Sequence, residues 1–424
     1  MSATLFKGLS PHRTTLPNGA VVTVQETSMT PAVTLSAAFR PGSLLDPHGL
    51  EGLAYLMGRV LDRGTERRKA DEIAEALDDR GVSLKISTNR QAVTLSCTLL
   101  SEDFDDILAL LVDVVRRPVF PDEEIEKGRA EAVTTLRQNE DNPGARAADG
   151  VMKLLYTGKH PYGRPSKGTV AGVERVTRAD ITSFHRERIV PAALSLVIVG
   201  DVPASHALTR AALELEGWMA PVPPRVDLPP PSAGSRHVRR IAMPGKPQAD
   251  IAYGFTTVRR HDPRYYAYWM MNNVLGQFGL GGRLADNIRE RQGMAYYAFS
   301  TLDARPCEAP LLIRAGVDPD NVERTIEAID HEVSTLAAGG PTSREIEESR
   351  AYLLGSLPRM LETNQSIAAF LQTSEEFSLG LDYDQRLPGL LNAVTREGVS
   401  AAAAETLDTG RAAIVVAGPE EGQG

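Results

Sequence analysis

The stretch Trp218–Ser235, WMAPVPPRVDLPPPSAGS, carries six prolines between Pro221 and Pro231. Proline has a fixed φ and no backbone N–H, so such a run cannot enter a central strand or a helix interior and tends to an extended path. It divides the 424-residue chain nearly in half, and a chain of this length exceeds one ordinary hydrophobic core. The expected organisation is a domain over 1–218, a linker over 219–235 and a domain over 236–424.

Working outward from the linker, the two halves look like one unit written twice. EIEKGRA (Glu124–Ala130) and EIEESRA (Glu345–Ala351) agree at five of seven places, and each follows a proline suited to opening a helix. LVIVGDVP (Leu196–Pro203) and IVVAGPEE (Ile414–Glu421) are apolar strands that end at glycine. DDRGVSLKIS and RERQGMAYYAFS both read as a helix stopped by glycine and followed by a strand. The pairs keep their order along the chain. Phe104, Ile107, Leu108, Leu111 and Val115 mark an amphipathic helix in the first half, echoed by Val322, Ile326, Ile329 and Val333 in the second. Strands and helices grouped in this way predict an α+β fold: two similar sandwich domains, each a mostly antiparallel sheet with helices on one face.

Composition narrows the function. Hydrophobic residues make up 42% and charged residues 24%, as in globular proteins. A net charge of −9 argues against nucleic acid or an anionic membrane as partner. Cys97 and Cys307 are far apart and fit no ligand-spaced pattern, so a disulfide framework is not expected. No apolar run is long enough for a signal segment or a membrane span. The expected compartment is cytoplasmic, or periplasmic if a leader has been removed.

GLEGLAYLMGRVLDRGT (Gly49–Thr65) reads as a helix with an apolar stripe of Leu50, Leu53, Met57, Val60 and Leu61. Tyr55, Gly58, Arg59 and Asp62 share another face. Gly58 is out of place there, since glycine inside a helix costs about 1 kcal/mol against alanine. The eight histidines are scattered, with no H-x₃-H or H-x-x-E-H spacing that would encode a local zinc site. HPYGRPSKGT (His160–Thr169) lacks the spacing of a phosphate loop and reads as a structural turn. GQFGLGGRLADNIRERQGMAYY (Gly276–Tyr297) fails as a dinucleotide fingerprint. Its glycines Gly279, Gly281 and Gly282 suit close approach of a peptide backbone. Beyond them, Arg289 is expected in a last helical turn, Gly293 as the stop and Tyr296 on the next strand, with alternation turning Tyr297 to the other face.

Together with TLPNGAVVTV, NEDNP (Asn139–Pro143) and LVIVGDV, these stretches carry a resemblance, spanning nearly all of the chain, to the pitrilysin-type (inverzincin) zinc peptidases, the family of insulysin and the mitochondrial processing peptidases. Active members carry H-x-x-E-H on the helix that begins G-L-A. By that resemblance Tyr55 and Arg59 stand at the two histidine positions and Gly58 at the glutamate base. Thr135, counted back from NEDNP, stands at the third ligand, a glutamate in the family. The family's R-x₃-G-x-x-Y pair, which meets substrate near the zinc, is kept as Arg289 and Tyr296. The resemblance implies half of a clamshell with no cofactor of its own. It would pair in a heterodimer with a homologous H-x-x-E-H subunit that holds Zn, close a peptide chamber and supply Arg289 and Tyr296 in trans. The alternatives are a degenerate structural scaffold and a stand-alone peptide-binding protein.

Overall fold

Val33, Leu35, Ala37 and Phe39 alternate with Thr34, Ser36 and Ala38 along one strand, and all seven are buried, so this strand must be covered on both faces. The structure is a computed structural model, described for residues 8–158, 160–223, 228–231 and 234–419. The first sheet holds six strands: β1 (His12–Thr15), β2 (Val21–Glu26), β3 (Ala32–Phe39), β4 (Lys85–Thr88), β5 (Val93–Leu100) and β6 (Leu194–Gly200). Their order is β1-β2-β6-β3-β5-β4, antiparallel except for the β2–β6 pair. The second sheet holds β7 (His237–Ala242), β8 (Ala249–Thr256), β9 (Ala295–Leu302), β10 (Pro310–Val317) and β11 (Ala413–Gly418). Its order is β7-β11-β8-β10-β9, again with one parallel pair, β11–β7. Strand for strand this repeats β2-β6-β3-β5-β4. The duplication read from short sequence matches is therefore a duplication of topology, and the fold is the expected two-domain α+β arrangement.

Two features depart from the simple picture. The compact units are not contiguous. Among the described residues, the first comprises those within 1–136, 165–226 and 357–385, and the second those within 137–164, 227–356 and 386–424. The boundary therefore does not fall only in the linker over 219–235, of which residues 224–227, 232 and 233 lie outside the described residues. Helices are also not confined to one face of each sheet. In the first unit, the helices Leu53–Val60 and Phe104–Arg116 pack on one face, with Leu56, Leu108 and Leu111 buried beside Leu35 and Leu95. The opposite face takes the helix Asn364–Glu376 from late in the sequence. Its Gln372 donates from Nε2 to the carbonyls of Ser36 (2.8 Å) and Ser195 (2.9 Å). In the second unit the matching place is filled by the helix Pro143–Leu155, from the first half of the chain. A Cβ at Gly150 would lie 2.9 Å from Val415 Cγ1, so glycine lets this helix sit against β11. Each half of the sequence thus lends one helix to the other half's sheet.

The loop His160–Thr169 is structural, as read. His160 is buried, accepts at Nδ1 from the Tyr162 amide (3.2 Å), and meets the Pro229 carbonyl through Nε2 (2.9 Å). His185 is held in a similar way, its Nε2 on the Val115 carbonyl at 2.8 Å and its ring edge-on to Phe120. Burial lowers its pKa from 6.5 to about 4.

Two outcomes follow from this packing. Gln372→Ala removes a buried donor from two carbonyls and should lower the urea midpoint by the equivalent of about 1–3 kcal/mol. Since His185 is depressed in the folded state, its contribution is present above pH 6.5 and lost as pH falls towards about 4. The urea midpoint should drop across that window in the wild type, and His185→Gln should flatten the drop.

Candidate functional site

The motif helix runs Leu53–Val60 and not from Gly49, because Gly52 stands before it in the left-handed region at φ 110°. The buried carboxylate of Asp46 caps it, accepting from the amides of Gly52 (2.7 Å) and Ala54 (2.9 Å). Leu53, Leu56, Met57 and Val60 anchor its apolar side in the first unit's core.

On the other side, Arg59 Nη1 donates to the Tyr55 hydroxyl at 3.3 Å, and the guanidinium lies 5.7 Å from the Tyr55 ring centroid. Arg59 Nη2 forms an ion pair with Glu131 at 2.6 Å. Glu131 belongs to the helix Asp122–Glu140, and Thr135 follows it there by one turn. The Thr135 hydroxyl is turned onto its own helix and donates to the Glu131 carbonyl at 3.0 Å. Tyr55 and Arg59 are thus brought together, while Thr135 makes no hydrogen bond with either. Glu131 was not singled out from the sequence. Its place four residues before Thr135 puts it on the same helix face, and that spacing was the available signal. Asp62, one turn past Arg59, has its carboxyl pKa raised by burial and further by nearby Glu124 and Glu131, against the pull of Arg63.

Gly58 has a packing reason. A Cβ there would lie 2.6 Å from Thr88 Oγ1, and the same hydroxyl donates to the Ala54 carbonyl at 3.3 Å. Thr88 of β4 occupies the space that a side chain at 58 would need, so glycine lets this edge strand approach the helix. Zinc needs deprotonated N, O or S donors, and a metallopeptidase also needs a carboxylate base. A phenol, a fixed cation, a glycine and a back-bonded threonine do not fit that group. Among the described residues no cluster of three His, Cys, Asp or Glu is placed to hold a metal ion.

In the second unit, Arg289 lies in a segment of wide, π-type turns, Ala285–Arg291, where the expected α-helix would have been. The Gln292 amide bonds back to Asn287, and Gly293 at φ 63° ends the segment. Arg289 is 47% exposed, and its nearest carboxylate is the adjacent Glu290 at 3.6 Å. Tyr296 is 66% exposed and makes no hydrogen bond among the described residues. It sits on β9, the edge of its sheet, where the register slips. Tyr297 faces Gly316 and Ala295 faces Val317, which leaves Tyr296 as the extra residue of a bulge. Simple alternation therefore does not separate the two tyrosines, but their contacts do. The Tyr297 hydroxyl donates to Asp250, and burial raises its pKa, with Asp250 adding to the rise. No hydrogen bond joins Arg289 to Tyr296.

The glycine loop is partly explained from within. A Cβ at Gly281 would meet the Phe278 ring at 2.6 Å, and one at Gly282 would meet Gly276 Cα at 2.9 Å. Gly279, at φ 59°, has open space around it. Arg283 fastens the end of the loop with a two-pronged ion pair to Glu345, at 2.6 and 2.9 Å.

Residues 21–168 match the family description "Insulinase (Peptidase family M16)", and residues 175–353 match "Peptidase M16 inactive domain". The chain belongs to peptidase family M16. Among its M16 relatives, an uncharacterized zinc protease of Streptomyces coelicolor is 27% identical over 415 residues, covering 96% of this chain and 89% of that protein. A Helicobacter pylori protein named a non-peptidase homolog is 23% identical, covering 86% and 84%. An M16 inactive domain from Pseudomonas fluorescens superposes with a TM-score of 0.91 at 25% identity, covering 98% of this chain and 99% of that one. A protease from Helicobacter pylori shares the fold with a TM-score of 0.89 at 17% identity. The inactive-domain description and the non-peptidase name agree with a non-catalytic M16 member.

Helix propensity alone would make Gly58→Ala stabilising by about 1 kcal/mol. The crowding against Thr88 should cancel that gain, and the gain should return in a Thr88→Ala background. A double-mutant cycle of urea midpoints reads the coupling.

Proposed function

We propose that this chain is the non-zinc-binding subunit of a heterodimeric M16 peptidase. It helps to close a peptide chamber and supplies Arg289 and Tyr296 to a homologous partner that carries H-x-x-E-H and Zn. The observation that carries this reading is a contrast. At the metal positions the polar groups are spent on one another, Arg59 with Tyr55 and Glu131. Arg289 and Tyr296, at the family's substrate-contact positions, are exposed, and the Tyr296 hydroxyl makes no hydrogen bond among the described residues. A side chain that served only the fold would be expected to find partners inside it.

In this reading the chain binds no zinc, and the metal and the general base belong to the partner. The partner's zinc would supply the activated water that attacks the peptide carbonyl. Arg289 and Tyr296 donate hydrogen bonds to substrate carbonyls and to the negative charge that builds on one of them during attack. The bulge at Tyr296 projects the phenol from the sheet edge, where a substrate can reach it. The Gly279–Gly282 loop, with Gly279 open to its surroundings, is the segment a peptide backbone could approach.

Purifying the chain alone and together with an H-x-x-E-H homologue should give zinc and peptide hydrolysis only in the mixed sample. Tyr296→Phe should lower the partner's kcat by about 10²-fold, the scale of a lost oxyanion donor, without disturbing assembly. An assembled pair with an unchanged rate would favour the structural scaffold instead.

A further inference from the structure

On the second unit's sheet, beside the start of the helix Pro143–Leu155, lies an open cavity of about 450 Å³. Arg314 of β10 reaches into it. The guanidinium lies 5.9 Å from the Phe299 ring centroid and interacts with the Tyr297 hydroxyl; Asp250 shares the cavity, but no carboxylate among the described residues forms an ion pair with Arg314. Lys246, at the rim, is paired with the exposed Asp141 at 2.7 Å. The acidic residue inside, Asp250, is buried and already accepts from Tyr297 and from Gln248 Nε2 at 3.1 Å. Glycine at 144 keeps the space open, since a Cβ there would lie 2.9 Å from Arg314 Nη2 and 3.0 Å from Asp250 Oδ1. An arginine without a carboxylate partner in a concave site is a ready receptor for an anion, and its planar fork suits a carboxylate.

We infer that this cavity binds a carboxylate carried by a peptide, with Arg314 as the principal contact and Lys246 as the second. The inference rests on the peptide-binding reading above and adds a substrate class to it. A monoanion fits better than a phosphate, because the Asp250 carboxylate in the same space would repel a second negative charge. The Phe299 ring offers an apolar wall for the methylenes of a glutamate side chain. Tyr297, which lines the cavity, directly follows Tyr296 on β9, so their Cα atoms lie about 3.8 Å apart. The carboxylate could be an acidic side chain or a chain terminus.

Both sources are read by fluorescence anisotropy on the full chain, using labelled peptides that differ only as internal Glu against Gln, or as C-terminal acid against amide. One of the two pairs should show about tenfold tighter binding of the charged member. Arg314→Gln should abolish that preference, so that the charged and neutral peptides bind alike. Gly144→Ala should reduce the preference by narrowing the space, with circular dichroism melts to confirm folding. If Arg314→Gln does not fold, Lys246→Gln reads the same difference. Equal affinity for charged and neutral peptides, a preference that survives Arg314→Gln, or no binding of any peptide would overturn the inference. A chain that shows the preference but supports no hydrolysis beside an H-x-x-E-H partner would instead sink the proposed function and leave this site standing.

Discussion

The ion pair between Arg59 and Glu131 is the contact around which the first unit's site is organised. It ties the short helix Leu53–Val60 to the long helix Asp122–Glu140. By the resemblance read from the sequence, the guanidinium stands at one expected zinc-ligand position, and the carboxylate lies one turn from another. A divalent cation would join the same two helices by coordination. Here a half-exposed ion pair joins them, which by itself is worth little. Its consequence is chemical rather than energetic. A guanidinium has no lone pair to offer a metal, and here its two Nη groups are held by Tyr55 and Glu131.

The neighbouring structure has adjusted to that state. The Thr88 hydroxyl fills the space beside Gly58, so a side chain at that position would need Thr88 to give way. Thr135 has turned its hydroxyl into its own helix. The second unit shows the reverse pattern around its family motif. The π-type turns before Gly293 and the bulge at Tyr296 are both irregularities that cost regular hydrogen bonding, and each leaves a polar side chain exposed. Local departures from ideal geometry concentrate where groups must face outward.

Much of the architecture could be read in advance. The helices around Phe104 and Val322 bury the residues their spacing selected, and the repeated strand order follows from repeated patterns of alternation and glycine stops. Other features escaped. The start of the motif helix depends on a left-handed glycine and on a carboxylate six residues earlier, a contact that no helical spacing reveals. The exchange of helices between the halves escaped because an amphipathic pattern states that a face will be buried, not against which sheet. The bulge at Tyr296 escaped because strand pairing, not composition, decides where register slips.

By itself the sequence determined the duplicated α+β plan and the family, because these rest on residue type, order and short-range period; it also set which residue types stand at positions 55, 58, 59 and 135. Only the tertiary structure decided that Arg59 takes Glu131, that the Thr88 hydroxyl crowds the space beside Gly58, and that Arg314 shares a cavity with Asp250 without an ion pair between them. Those contacts join residues far apart in the chain, and their partners are selected by packing in three dimensions, which no local pattern encodes.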